Sequence, residues 1–169
     1  MFYIYYRKKS ALAQLQKNER AMMEYRKATE KDIDLISEIR RVQLIHEKAH
    51  EEVEIREELR TFFEHAFAEN RIVQILAEDN GTVAATGAVI FYDYPPSFSN
   101  PSGKVAYIAN MFTALDHRRQ GLACRIMDLL VDEARKAGAG EVRLLASEPG
   151  RPVYETYGFT AEDGWYVLE

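Results

Sequence analysis

Val105-Ala106-Tyr107-Ile108-Ala109-Asn110-Met111-Phe112-Thr113, then, after Ala114, Leu115-Asp116-His117-Arg118-Arg119-Gln120-Gly121-Leu122-Ala123, is the stretch that decides the fold. Its first part is a strand of β-branched, aromatic and small residues. Its second part is a polar turn that opens a long helix, Gly121 to Ala137, with Ile126, Leu129, Leu130 and Ala134 on one face. The first N–H groups of a helix have no intrahelical partner and point outward with the positive end of the dipole. Gly121 and Ala123 keep side chains small at that point, and Arg118 and Arg119 add positive charge. Strand, turn and helix together make an anion cradle suited to a pyrophosphate-bearing ligand.

Upstream of this stretch, Glu24-Tyr25-Arg26-Lys27-Ala28-Thr29 reads as a first strand leading into a capped helix, and Thr29-Glu30-Lys31-Asp32 supplies cap chemistry for that helix, which carries Ile33, Leu35, Ile36, Ile39, Val42 and Ile45. A second helix is expected from about Glu51 to Glu69, with Val53, Ile55, Leu59, Phe62, Phe63 and Phe67 inward. Ile72 to Ala77 and Val83 to Phe91 form a hairpin about Asn80-Gly81. Downstream come a strand Glu141 to Ala146, a short helix near Gly150 to Tyr157 and a terminal strand Trp165 to Leu168. The expected order is β-αα-βββ-α-β-α-β, with residues 1–22 as an N-terminal extension, helical from about Ser10, ahead of a domain spanning 23–169.

At 169 residues the chain has enough length for one hydrophobic core. Its single cysteine, Cys124, forms no internal disulfide and no zinc-finger pair, which fits a reducing, cytoplasmic setting. A net charge of -5 argues against nucleic-acid partners and suits a cationic one. Neither a signal peptide nor a membrane-spanning run is evident, so no membrane partner is expected.

The strand and loop resemble the central strand and acyl-CoA loop of the GNAT N-acetyltransferases. That family's loop pattern is Gln or Arg, any two residues, Gly, any one, then Gly or Ala; Arg118, Gly121 and Ala123 fill its fixed positions. Val153-Tyr154-Glu155-Thr156-Tyr157-Gly158-Phe159 is similar to the family's terminal Leu-Tyr-Glu-Lys-x-Gly-Phe segment. The resemblance covers about residues 23–169. It implies an α/β (α+β) fold: a mixed, twisted sheet of six to seven strands with about four helices, besides the N-terminal helical segment.

It further implies acetyl-CoA as acyl donor and direct transfer to an amine, either a small molecule or a peptide. Backbone of Met111, Phe112 and Thr113 would pair with the pantetheine arm. Arg118, Arg119, Gln120, Gly121, Leu122, Ala123 and Cys124 would hold the pyrophosphate. Tyr154 matches the tyrosine that protonates the departing thiolate, with Tyr157 as second choice. Ser147 stands where many members have an Asn that contacts the pantetheine. The base is unassigned: the family often has a Glu near Ala109, and Asn110, Tyr107 and Glu78 are weaker substitutes. Homodimers are common in the family, and exposed aromatics here permit one. A domain that binds acyl-CoA without turning it over is the alternative.

A competing motif is His46-Glu47-Lys48-Ala49-His50, which satisfies the His-Glu-x-x-His pattern of zinc hydrolases. No later element announces a third ligand, although 51–58 is rich in Glu, and no metal is assigned. Cys124 reads as packing rather than nucleophile. Tyr92, Tyr94, Pro95, Pro96 and Phe98 read as a loop wall or a contact surface, and His117 as a residue within reach of a phosphate.

Overall fold

A hairpin with Asn80 and Gly81 in left-handed conformation sits at the centre of the chain's antiparallel half (φ 50° and 78°). In the computed structural model, which describes residues 23–47 and 53–162, it joins β2 (Ile72–Asp79) to β3 (Thr82–Asp93). β1 (Glu24–Lys27) pairs antiparallel with β2, β3 pairs antiparallel with β4 (Lys104–Thr113), and β5 (Glu141–Leu144) pairs parallel with β4. The sheet order is β1-β2-β3-β4-β5. Among the described residues four α-helices accompany it: α1 (Ile33–His46), α2 (Arg56–Ala68), α3 (Leu122–Lys136) and α4 (Arg151–Tyr157).

Strand side chains alternate between faces, and the sheet therefore buries two cores. On one face Ile75, Ala77, Val89, Ala106 and Ile108 meet Ile126, Met127 and Leu130 of α3. On the other, Ile72, Leu76 and Ala88 meet Ile33 and Ile36 of α1 and Phe63 and Ala66 of α2. Burying each large aliphatic side chain contributes roughly 1.5–3 kcal/mol. Gln74, in the second core, donates to Thr86 Oγ1 at 3.0 Å, and that hydroxyl donates to the Ile75 carbonyl at 2.8 Å.

Two irregularities shape β4. Thr86 pairs with Phe112 but Ala88 with Ala109, so Asn110 and Met111 together oppose Gly87. This is a β-bulge, and Asn110 takes the left-handed conformation (φ 54°) that Asn tolerates better than most residues. The second irregularity is that β4 and β5 pair only from Val105–Glu141 to Ile108–Leu144. Beyond Ile108, β3 is the only strand that pairs with β4 among the described residues.

Five strands are present among the described residues, fewer than the expected six to seven. The expected strand at Trp165–Leu168 and the helical segment from Ser10 lie outside those residues. α2 begins at Arg56 rather than near Glu51, because the Glu54 carboxylate accepts the N–H groups of Ile55 and Arg56 (3.1 and 3.0 Å) and so sets the helix start there. Val53 is correspondingly exposed. The inward line of α1 also differs from expectation. Its buried residues are Ile33, Ile36, Ser37 and Gln43, whereas Leu35 is exposed. No described helix is long and apolar enough to cross a membrane.

Candidate active site

The link from β4 to α3 is a single 3-10 turn, Leu115–His117, followed by two left-handed residues, Arg119 (φ 60°) and Gly121 (φ 81°). This path turns the start of α3 outward. The first helical bond at that end is from Arg125 N–H to Gly121 O. Consequently the N–H groups of Arg119, Gln120, Gly121, Leu122, Ala123 and Cys124 make no hydrogen bond of normal geometry within the described residues. A β-carbon added at Gly121 would meet no protein atom within 4 Å, so the glycine serves its positive φ and an open space lies before it. Consecutive unbonded amides at a helix start fit a phosphate or pyrophosphate.

Side chains contribute less to this cradle than expected. Arg118 lies back on its own loop, its Nε donating to Thr113 O at 3.2 Å, and Gln120 Nε2 donates to Asp116 O at 3.1 Å. Arg119 and Cys124 are exposed. His117 Nε2 is 3.1 Å from Asp79 Oδ2, which directs the ring to the β2–β3 hairpin rather than to the cradle.

Met111, Phe112 and Thr113 lie in the part of β4 that β5 does not reach, leading directly to the cradle. A strand edge without a neighbouring strand can pair its backbone with an extended ligand, although here Met111 O already accepts from Gln43 and Thr113 O from Arg118. Met111 packs on Gly87, and Phe112 contacts the His46 ring (centroids 6.0 Å apart).

Tyr154 enters the same region from α4. Its ring lies over Gly150 and edge-on to Phe159, with centroids 6.3 Å apart. Its hydroxyl has no hydrogen-bond partner among the described residues. Burial, reinforced by the charge of Glu47 and by Tyr107, raises its pKa above the ordinary tyrosine value, so the hydroxyl holds its proton. Ser147, exposed, precedes α4, and its carbonyl accepts the N–H groups of Gly150 and Arg151 at 3.0 Å. Tyr157 instead donates to Asp128 Oδ1 at 3.1 Å on the exposed side of α3.

The residues that sequence reasoning missed lie on α1. With 3.6 residues per turn, Ile33, Ile36, Ser37, Arg40, Gln43 and Glu47 follow one line along the helix, apolar at its start and polar thereafter. Gln43 is buried, and its amide nitrogen donates to Met111 O and to Glu47 Oε1, both at 3.1 Å. Its Oε1 is buried without a partner among the described residues. Arg40 is partly buried and makes no hydrogen bond or ion pair among them. Burial lowers its pKa, against the opposing effects of Glu47 and Tyr107. The available signal was a polar set at i, i+3 and i+7 continuing the Ile33–Ile36 line.

Other candidates fall elsewhere. Glu78 is bound by Arg26 at 2.8 Å, at the β1–β2 pair. Tyr92, expected in a loop, lies at the end of β3 and pairs with Val105; it stacks edge-on with Tyr94 (5.9 Å), and Arg143 covers Tyr94 at 5.7 Å, at the end of β4 that begins at Lys104 rather than the one at Thr113. Of the His46–His50 motif, only His46 and Glu47 are described, and the described residues hold no group of three metal-ligating side chains.

The fold is shared with known proteins. A predicted acetyltransferase from Clostridium acetobutylicum, solved with acetyl-CoA, is 42% identical, superposes with a TM-score of 0.85, and shares 88% of this chain and 96% of its own. A GCN5-related N-acetyltransferase from Ralstonia eutropha (21% identity, TM-score 0.78) and glucosamine-6-phosphate N-acetyltransferase from Arabidopsis thaliana (21%, 0.65) share the fold. Each covers 88% of this chain, with 99% and 98% of their own lengths matched respectively. No curated protein matches the sequence. The acetyltransferase (GNAT) family matches residues 37–159, from within α1 to the residue after the α4 cap. With its cradle, splayed strand and capped terminal helix inside that span, the chain belongs to the acetyltransferase (GNAT) family.

Proposed function

We propose that this protein is an N-acetyltransferase that moves an acetyl group from acetyl-CoA to a primary amine by direct attack in a ternary complex. The observation that carries this reading is the continuity of two backbone features: the unpaired edge of β4 over 109–113 runs into the unbonded amides of 119–124. An extended arm on the strand edge and a pyrophosphate on the amides is the order of groups in CoA. The C. acetobutylicum relative, 42% identical, was solved with acetyl-CoA, which supports the same donor here.

When bound, acetyl-CoA supplies a thioester carbonyl and a thiolate leaving group. The protein's share is positioning, charge stabilisation and proton transfer. The amides of 119–124 neutralise phosphate charge without a change of protonation. Backbone N–H groups of 109–113 hold the arm and polarise the carbonyl. Tyr154, kept protonated, donates to the sulfur as the C–S bond breaks. The amine gives up one proton as the C–N bond forms, and the sulfur gains one. Residues 23–169 are assigned to this transferase domain.

Calorimetric titration with acetyl-CoA tests the donor site. Micromolar binding is expected, with loss of about a hundredfold or more in Gly121→Glu, where a carboxylate enters the phosphate space. An intact fold by circular dichroism makes that loss specific. Undiminished binding in the variant overturns the assignment. Release of CoA on adding amines separates transfer from binding alone, the alternative left open by a β4 strand that contains no carboxylate.

A further inference from the structure

The inward line of α1 turns polar toward its end: Arg40 is partly buried, Gln43 is buried, and Glu47, at the C-cap, is exposed. Arg40 and Glu47 are seven residues apart, about 10 Å of helix rise, with Gln43 between them. The Glu47 carboxylate accepts from the Gln43 amide, which also donates to Met111 O, the carbonyl of the β4 bulge. Arg40 is the opposite case, a partly buried guanidinium with no partner among the described residues. Such a charge is costly unless something pairs with it. Met111, whose carbonyl anchors Gln43, packs on the same core as Tyr154, and Glu47 and Tyr107 act electrostatically on both Arg40 and Tyr154.

We propose that Arg40 and Glu47 form the two ends of the acceptor subsite, so that the acceptor is a primary amine that also carries a carboxylate. This rests on the transferase reading above. The guanidinium offers a two-pronged donor that matches a carboxylate. The Glu47 carboxylate receives the ammonium group, next to the bulge and Tyr154, and takes the proton released before attack. The amine end thereby lies toward the reacting centre and the acid end toward Arg40.

The test uses the full chain, with and without saturating CoA, titrated with the standard L-amino acids and a series of ω-amino acids, each beside its methyl ester. At least one acid is expected to bind about tenfold or more tightly than its ester. Arg40→Met should abolish that preference, and Arg40→Lys should restore part of it. Equal binding of every acid and ester pair, or no binding of any, overturns the proposal, as does a preference that survives in Arg40→Met. Should that variant not fold, Arg40→Lys and the wild-type preference decide. Acetyl-CoA binding and CoA release with other amines would then persist, whereas failure of the transferase reading removes both.

Discussion

Met111 packs on the bare α-carbon of Gly87: a β-carbon at position 87 would overlap the Met111 sulfur and lie 2.8 Å from Ile126 Cγ2 and 3.0 Å from Leu130 Cδ1. The bulge of β4 and the inner face of α3 thus meet over a single glycine. Gly87→Ala is expected to lower stability by about 1–3 kcal/mol, the usual range for overpacking. Because Met111 must move, acetyl-CoA affinity should fall as well. Urea unfolding and calorimetry on the same variant check both.

Asn110 supplies the left-handed residue of that bulge. Asn110→Val, a β-branched residue, should cost about 1–2 kcal/mol and weaken acetyl-CoA binding. Asn110→Gly, which takes positive φ freely, should retain both stability and binding. Equal effects of the two substitutions would show that the side chain, not the backbone conformation, matters there.

Tyr154→Phe removes the proposed donor while keeping the ring over Gly150. A fall in kcat of about a hundredfold or more is expected, with the KM for acetyl-CoA little changed. Since the Tyr154 pKa is raised, the donor form persists at neutral pH and is lost only as pH rises above the ordinary tyrosine value of about 10. The wild-type kcat profile should therefore show no alkaline fall from this group below about pH 10.

Asp32 accepts two bonds from Arg26 (2.9 and 2.8 Å) and one from the Thr29 N–H (2.8 Å), and these hold its pKa well below the ordinary aspartate value. A lowered folded pKa stabilises the protein above the unfolded value and loses that contribution as pH falls. Asp32→Asn should cost about 1–2 kcal/mol at neutral pH. It should also flatten the decline in stability below about pH 4, as read from urea midpoints across pH.

The strands and the α3 cradle could be read from residues because they rest on local rules. Asn80-Gly81 specifies a hairpin, and Gly121 after Arg118 opens a helix. The acceptor side was opaque for the opposite reason. Ile39, Val42 and Ile45 suggested a line along α1, yet Arg40, Gln43 and Glu47 lie along the inward one. That choice is made by a sheet face and a bulge carbonyl more than sixty residues away. Glu78 looked available until its pairing with Arg26 across β1 and β2 was in place. Local chemistry could foresee a bulge neither at Asn110 nor opposite Gly87, since a bulge exists only in the pairing of two strands.

The amide run of 119–124 also bears on how the protein responds to acidity. Peptide N–H groups carry fixed partial charge and have no protonation equilibrium in the range where proteins stay folded, and the neighbouring arginines do not release protons either. The amides and arginines of this run are therefore insensitive to pH. A dependence of catalysis on proton concentration therefore arises not from these amides but from titratable groups: the phosphates of the donor, the acceptor amine, or ionisable side chains around the site.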